Sequence, residues 1–355
     1  MRSKLFSCCV LTKGTQRSLI CDLQRNKFHF IPNSLYELLD SPEIDFQILI
    51  DQQEDEINKM ILKEYESFLL DNELLFTDDN LDLFPPLSLK WESPFTIQNA
   101  IIEIGKDCVY LKDLLNQLEC LGLQQLELRF HESDIDLLRD SVSIFRNTNV
   151  NGLILFFNNS CNILKEDLEF LLKRESRIER IFLYNNQRWE QNFSCAETEG
   201  SVIYLDKTEI SALHCGIISS EYFVVNIPVF TESQQHNTCL NRKISIDAEG
   251  NIKNCPSMAK SYGNIKGTKL IDVVNNSDFQ KVWHIKKDEI TKCKDCEFRH
   301  ICTDCRAYVE NPEDQFSAPL KCGYNPYTCE WEEWSTNPLK QKAIQYYGMR
   351  DLGTK

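Results

Sequence analysis

The chain has 355 residues, 42% of them apolar and 26% charged, with a formal net charge of −15; that length holds two or three domains with real cores, and the composition is that of an ordinary globular protein. The acidic balance excludes broad attraction to nucleic acid or an anionic membrane surface, both of which want basic patches. No stretch approaches the roughly 18 apolar residues of a membrane span, and with 12 glycines and no Gly-rich phosphate loop, nucleotide binding has no support.

The first 33 residues read as short strands. Phe6–Leu11 is apolar, Thr12–Gln16 supplies a turn, Ser18–Leu23 alternates, and Gln24–Asn26 turns again before Lys27–Ile31. Pro32-Asn-Ser is a helix entry for Leu35–Leu39. A longer amphipathic helix is predicted over about 54–70, carrying Ile57, Ile61, Tyr65, Phe68 and Leu69, with Asn72–Phe76 closing the unit. Sheet, helices and closing apolar strand together resemble the winged-helix RiPP recognition element, a generic α+β cap being the other reading. The resemblance implies that residues 1–80 bind the leader of a precursor peptide by strand addition to a sheet edge. In Lys27–Phe30 the alternation puts Phe28 and Phe30 on a core face and leaves Lys27 and His29 on an available one.

Residues 81–95 read as a linker, polar and then broken by Pro85-Pro86. Strands and helices then alternate: Ile97–Ile104, Leu123–Phe130, Gly152–Phe157, Ile178–Tyr184, Val202–Leu205 and Tyr222–Pro228 as strands, with helices over Tyr110–Leu121, Ile135–Phe145 and Leu164–Leu172. This alternation predicts parallel strands with crossover helices over 96–235. Tyr327–Trp334 and the basic end from Lys340 read as a closing helix and tail, with Cys329 a spare thiol or substitute ligand; the last segment is bounded at 331–355.

The dominant motif lies at 236–330. Eight of the 16 cysteines fall between 239 and 329, about a quarter of the length. They run Cys239-x10-Gly250-x4-Cys255, then Cys293-x2-Cys296-x5-Cys302-x2-Cys305, then Cys322. Cysteines separated by two residues let one turn aim both sulfurs at one metal, a geometry that suits zinc and iron–sulfur clusters alike. Gly250 favours a positive φ at a hairpin turn and so swings Cys255 back beside Cys239. The first residues contain no signal-peptide pattern, so a cytoplasmic chain with reduced thiols is expected, and dense cysteines there read as metal ligands. His236 and Cys215 sit at possible ligand spacing before the motif; Cys8, Cys9, Cys21, Cys120, Cys161 and Cys195 read as core or surface thiols.

This cysteine pattern, with Tyr262–Ile265, Leu270–Val273 and Ser277–Phe279 between its halves, resembles the SPASM domain of radical-SAM peptide maturases. The run Cys302–Tyr308 and Lys321–Tyr327 resembles in particular the SPASM peptide maturase of grasp-with-spasm systems. The resemblance implies an α/β architecture: a recognition-element-like head, a partial (β/α) barrel of radical-SAM type, and a Cys-rich SPASM domain. It implies two auxiliary [4Fe–4S] clusters, one held by Cys293, Cys296, Cys302 and Cys322. The other falls to Cys239, Cys255 and Cys305, its fourth position filled by His236 or Cys215 or left open. Zinc is the alternative metal. The implied partners are a precursor-peptide leader and an ATP-grasp ligase. Two departures stand out. The family usually has three residues before the last knuckle cysteine, where this chain has two. More important, the loop after the first barrel strand, Glu103-Ile-Gly-Lys-Asp-Cys108-Val, lacks the Cys-x3-Cys-x2-Cys that anchors a radical-SAM cluster, and Leu128–Ser133 replaces the glycine-rich cofactor segment. The barrel therefore reads as degenerate, S-adenosylmethionine is not expected, no catalytic residue can be named, and the role stands between maturase and non-catalytic adaptor.

Overall fold

A computed structural model describes residues 2–106, 109–188 and 191–349. The chain divides into two compact units, each assembled from separate segments: Met1–Glu92, Ile217–Thr238 and Ile285–Lys355 form one, Ser93–Gly216 and Cys239–His284 the other.

In the first unit, strands Cys9–Thr12, Ser18–Asp22 and Lys27–Ile31 form an antiparallel meander with Ser18–Asp22 in the centre. The Asp22 carboxylate accepts the backbone N–H groups of Gln24 and Arg25 at 3.2 and 3.0 Å, closing the second turn. Every residue of Ser18–Asp22 is buried, so this strand has no solvent face. Cys9, Ile20 and Ile31 pack on the helix side with Leu35, Phe46 and Leu69. Leu19 and Cys21 pack on the other side with Phe298, Ile301 and Tyr324 from the cysteine-rich end of the chain. The expected division of faces holds only in part: Lys27 is exposed, but His29 meets Phe68 at 6.0 Å, and while Phe28 meets Phe298 at 5.8 Å on the opposite face, Phe30 is 45% exposed. Alternation reports which residues share a face, and it cannot tell whether a second layer covers that face.

Helices Asn33–Leu39 and Glu56–Asp71 match the reading; Phe46–Asp51 was not anticipated. Asp45 caps the unanticipated helix by accepting Ile48 N–H at 3.2 Å, as Asp55 caps the next through Ile57 at 2.9 Å. The predicted strand Phe6–Leu11 starts only at Cys9, and a separate short strand precedes it. Ser3–Leu5 pairs with Leu75–Thr77, and only from Cys9 does the chain enter the meander.

The second unit holds an eight-stranded, mostly parallel sheet. In spatial order it runs Phe193–Ser194, Ser201–Tyr204, Ile178–Tyr184, Gly152–Asn158, Gln125–Phe130, Asn99–Ile104, Lys243–Ile246 and Ile252–Lys253. The inner six are parallel and the two short edge strands antiparallel. Helices Leu111–Cys120, Ile135–Ile144 and Lys165–Arg174 are the crossovers. Leu111, Leu114, Leu115 and Leu118 recur at helical spacing and are all buried in one core with Ile102, Leu128 and Leu155. Each contributes on the order of 1.5–3 kcal/mol of transfer free energy. Arg177 ties helix ends to strand starts, donating to the carbonyls of Phe145, Thr148 and Val150 and pairing with Glu175 at 2.7 Å.

Two readings are corrected. Tyr222–Pro228 is not a strand. Asn226 accepts Val229 N–H at 2.9 Å and Pro228 occupies the first turn of helix Ile227–Ser233, where a missing N–H costs nothing. Tyr327–Trp334 is not helical either. Tyr324–Asn325 and Glu330–Trp331 form a small hairpin, with Cys329 at φ 60°, and the closing helix is Gln341–Tyr346. Cys108 and the tail from residue 350 lie outside the described residues. No helix among the described residues is long and apolar enough to cross a membrane.

Candidate metal centres

The cysteines of the motif fall into two sets, one in each unit. In the first unit a tight turn over Cys293–Asp295 closes through Cys296 N–H to Cys293 O at 3.0 Å. The turn is entered through Lys292 at φ 71°. A second turn brings Cys302 N–H onto Phe298 O at 3.0 Å, and Cys322 follows the turn closed on Pro319 O at 3.2 Å. Neighbouring segments hold the knuckle: Arg17 pairs with Glu297 at 2.8 Å, Thr15 N–H donates to Asp295 O at 3.0 Å, and Tyr327 donates to Asp295 at 2.7 Å. The buried Lys340 donates to the carbonyls of Leu320 and Cys322 at 2.9 and 2.5 Å, fixing the backbone that carries the fourth cysteine.

Cys293, Cys296, Cys302 and Cys322 line one cavity, with apolar walls from Ile218, Phe223, Phe298 and Trp331. Burial pushes Cys293, Cys296 and Cys302 upward, and the Lys287 ammonium partly offsets this for Cys293 and Cys302. Metal binding would supply the missing counter-charge and release the protons. A cavity walled by four cysteine sulfurs suits zinc and an iron–sulfur cluster alike.

The second set is in the other unit. Cys239 precedes the turn in which Lys243 N–H donates to Leu240 O at 3.2 Å, and Lys243 opens the strand paired with Asn99–Ile104. Gly250, at φ 85°, closes the following hairpin on Asp247 O at 2.9 Å, and the return strand leads into Cys255. Burial first, then the Cys239 thiol, push Cys255 upward; Lys243 pulls it down and Cys215 adds to the rise. Cys239, Cys255 and Cys215 therefore share one neighbourhood. Ser257 Oγ donates to Ala212 O at 3.0 Å, joining the loop after Cys255 to the turn before Cys215. The Lys243 ammonium lies 3.7 Å from Cys239 Sγ, and Arg129 reaches Cys215 Sγ at 3.6 Å while pairing with Glu127 at 2.6 Å. Of the two suggested additional ligands, Cys215 belongs to this unit. His236 belongs to the first, where its ring meets Trp91 at 5.0 Å. Cys305 is buried in the first unit, in a segment where Asp304 pairs with Arg306 at 2.6 Å.

Sequence reasoning missed Lys243, Lys287, Arg129 and Lys340. A lysine or arginine in sequence reads as surface by default, and no spacing rule announces a buried one. A different trio, Cys8, Cys9 and Asp22, does converge within 4.8 Å. Register explains it, because Cys9 pairs directly with Asp22 across the meander, and that carboxylate is already engaged by two backbone N–H groups and Arg25.

No curated protein matches the chain. Among solved structures, Streptococcus suis SuiB bound to S-adenosylmethionine aligns at 10% identity and a TM-score of 0.40, covering 90% of this chain and 99% of that one. SuiB bound to precursor peptide SuiA aligns at 10% identity and 0.41, covering 90% and 98%. Likenesses this weak do not bear on the architecture described above. Residues 238–297 match the SPASM family, an iron–sulfur cluster-binding domain, and the match takes in Cys239, Cys255, Cys293 and Cys296.

Proposed function

We propose that this chain is a cytoplasmic SPASM-domain protein of peptide maturation. It binds a ribosomally made precursor through its N-terminal sheet, carries two [4Fe–4S] clusters, and works beside an ATP-grasp ligase. The observation that carries the reading is the match of residues 238–297 to an iron–sulfur cluster-binding domain, together with the four cysteines of its pattern and its continuation that line one cavity. Cys293, Cys296, Cys302 and Cys322 hold the first cluster. Cys239 and Cys255 hold the second, with Cys215 as a further ligand in the same unit. The resemblance, rather than the geometry of either unit, gives Cys305 to that cluster. When bound, such clusters supply one-electron chemistry or Lewis acidity; the protein's part is to hold the thiolates and exclude water.

Peptide capture follows from the sheet. With both faces of the meander packed, the edge strand Cys9–Thr12 has a partner on one side only. Beside it lies a groove lined by Val10, Leu11, Tyr36, Leu39 and Leu87. An extended leader can pair with this edge through its backbone and place alternate side chains in the groove. The absence of the cysteine triad from the Glu103–Val109 loop keeps the adaptor role beside the maturase role.

The test combines iron and binding. Anaerobically reconstituted full-length protein should hold about eight irons per chain, and Cys302→Ser should lose about half of them. Leader binding should weaken when Leu11→Glu is introduced or when proline is placed in the leader, since proline removes ladder donors. Stoichiometric zinc with little iron, or leader affinity indifferent to both changes, refutes the corresponding half of the reading.

A further inference from the structure

Each thiol set contains a lysine, buried at Lys287 and half-buried at Lys243, that neither strand pattern nor cysteine spacing calls for. An ammonium removed from water costs several kcal/mol unless an anion stands beside it. Lys287 is 6% exposed, lines the cavity of Cys293, Cys296, Cys302 and Cys322, and donates to Thr303 O at 2.9 Å. The neighbouring Asp304 carboxylate is already committed to Arg306 and Asn237, each at 2.6 Å. Lys243 stands 3.7 Å from Cys239 Sγ. With neutral thiols, the Lys287 ammonium has for company an Asp304 carboxylate that is already shared. Thiolates around an iron–sulfur core, whose summed charge is negative, complete the balance.

We propose that Lys287 and Lys243 are cluster-facing cations that raise the reduction potentials of the two clusters, making them one-electron carriers and not only ties that hold the fold. The inference rests on the iron–sulfur reading above. Its physical basis is that cluster potential is set by local net charge, hydrogen bonds to sulfur and solvent exposure. Both lysines act on the first two, and the apolar lining of the Cys293 cavity strengthens the Lys287 contribution by keeping the local dielectric low. In the step itself an external one-electron donor, a reduced flavoprotein or a ferredoxin-type protein, loses an electron. The [4Fe–4S]2+ core gains it and becomes [4Fe–4S]+, and no ligand bond forms or breaks. A cluster used only as a structural staple has no need of a matched charge on either side of such a change.

The experiment is a potentiometric titration of anaerobically reconstituted full-length protein with dithionite and mediator dyes, followed by electron paramagnetic resonance of the reduced clusters. Wild type is compared with Lys287→Met, Lys287→Arg, Lys243→Met and Lys243→Arg. Iron is measured first, since an iron-free wild type overturns the iron–sulfur reading itself, separately from this inference. With iron present, each methionine variant should lower the midpoint of one cluster and leave the other in place. The expected change is at least tenfold in the oxidised-to-reduced ratio at fixed potential, about 59 mV for one electron, and arginine should restore most of it. Unchanged midpoints in both methionine variants, or arginine variants that behave like methionine, overturn the proposal. Where a methionine variant loses its iron, glutamine takes its place, keeping a donor without the charge. Loss of iron with glutamine as well shows a lysine that is structural, and also overturns it.

Discussion

Replacing Gly250 by alanine tests whether the glycine between Cys239 and Cys255 is a geometric requirement of the site. Its φ of 85° lies in the left-handed region, and the hairpin closes through its N–H to Asp247 O at 2.9 Å. An added Cβ would stand 3.0 Å from Ile265 Cγ1 and 3.2 Å from both Asn264 side-chain heteroatoms. Asn264 cannot swing away freely, because its amide donates to Glu249 O at 2.9 Å and to Asn251 at 3.2 Å. The left-handed backbone costs an L-residue roughly 1–2 kcal/mol, and yielding by the packed neighbours adds to it, for a total of about 2 kcal/mol. With a urea dependence of about 2 kcal/mol per molar, the unfolding midpoint of this unit falls by about 1 M. Gly250→Asn should recover part of the loss, since asparagine tolerates the left-handed region better. The same displacement moves Cys255 relative to Cys239, so Gly250→Ala should lose the iron of that set while Cys293, Cys296, Cys302 and Cys322 keep theirs. Urea melts of the metal-free protein and iron analysis of the reconstituted protein read the two effects separately. An alanine variant with an unshifted midpoint and full iron refutes the reasoning.

Arg177→Met should destabilise the second unit by about 3 kcal/mol, because it strands the buried Glu175 carboxylate and removes the donor to three carbonyls; a loss under about 1 kcal/mol in urea melts refutes the role given to this network. Glu175 also predicts a pH dependence. Its hydrogen bond from Arg177 holds its carboxyl below the usual carboxylate range, against the opposing effect of burial. Its stabilisation is therefore present above the ordinary carboxylate value of about 4.3 and is lost as pH falls through the lower folded value. The urea-midpoint gap between wild type and Glu175→Gln should accordingly narrow in acid, and a gap that stays constant down to about pH 3 contradicts the assignment. With strong reductant and S-adenosylmethionine the protein should release no 5′-deoxyadenosine, since the loop after Asn99–Ile104 contains Cys108 and no second cysteine; release that depended on Cys108 reverses that expectation.

Local chemistry carries far in this chain. Hydrophobic period and turn residues alone mark the alternating strands and helices from Asn99 to Tyr204, because each crossover unit buries its own apolar stripe on the sheet beside it. The seven motif cysteines and Gly250 are equally legible, since knuckle spacing and positive φ are properties of a few consecutive residues. The failures have two causes, one local and one tertiary. Tyr222–Pro228 is as apolar as a strand, yet the Asn226 cap and Pro228 start a helix there, and the choice between the two depends on a cap geometry that a hydrophobic run does not display. The meander's second buried face, the company of Cys215 with Cys239 and Cys255, and the ammonium groups of Lys243 and Lys287 are all decided by segments far apart in sequence. The chain's order determines which residues share a turn or a helix face. Only the tertiary structure decides which turns meet, and with that whether a lysine is a solvated surface group or the counter-charge buried against a set of thiols.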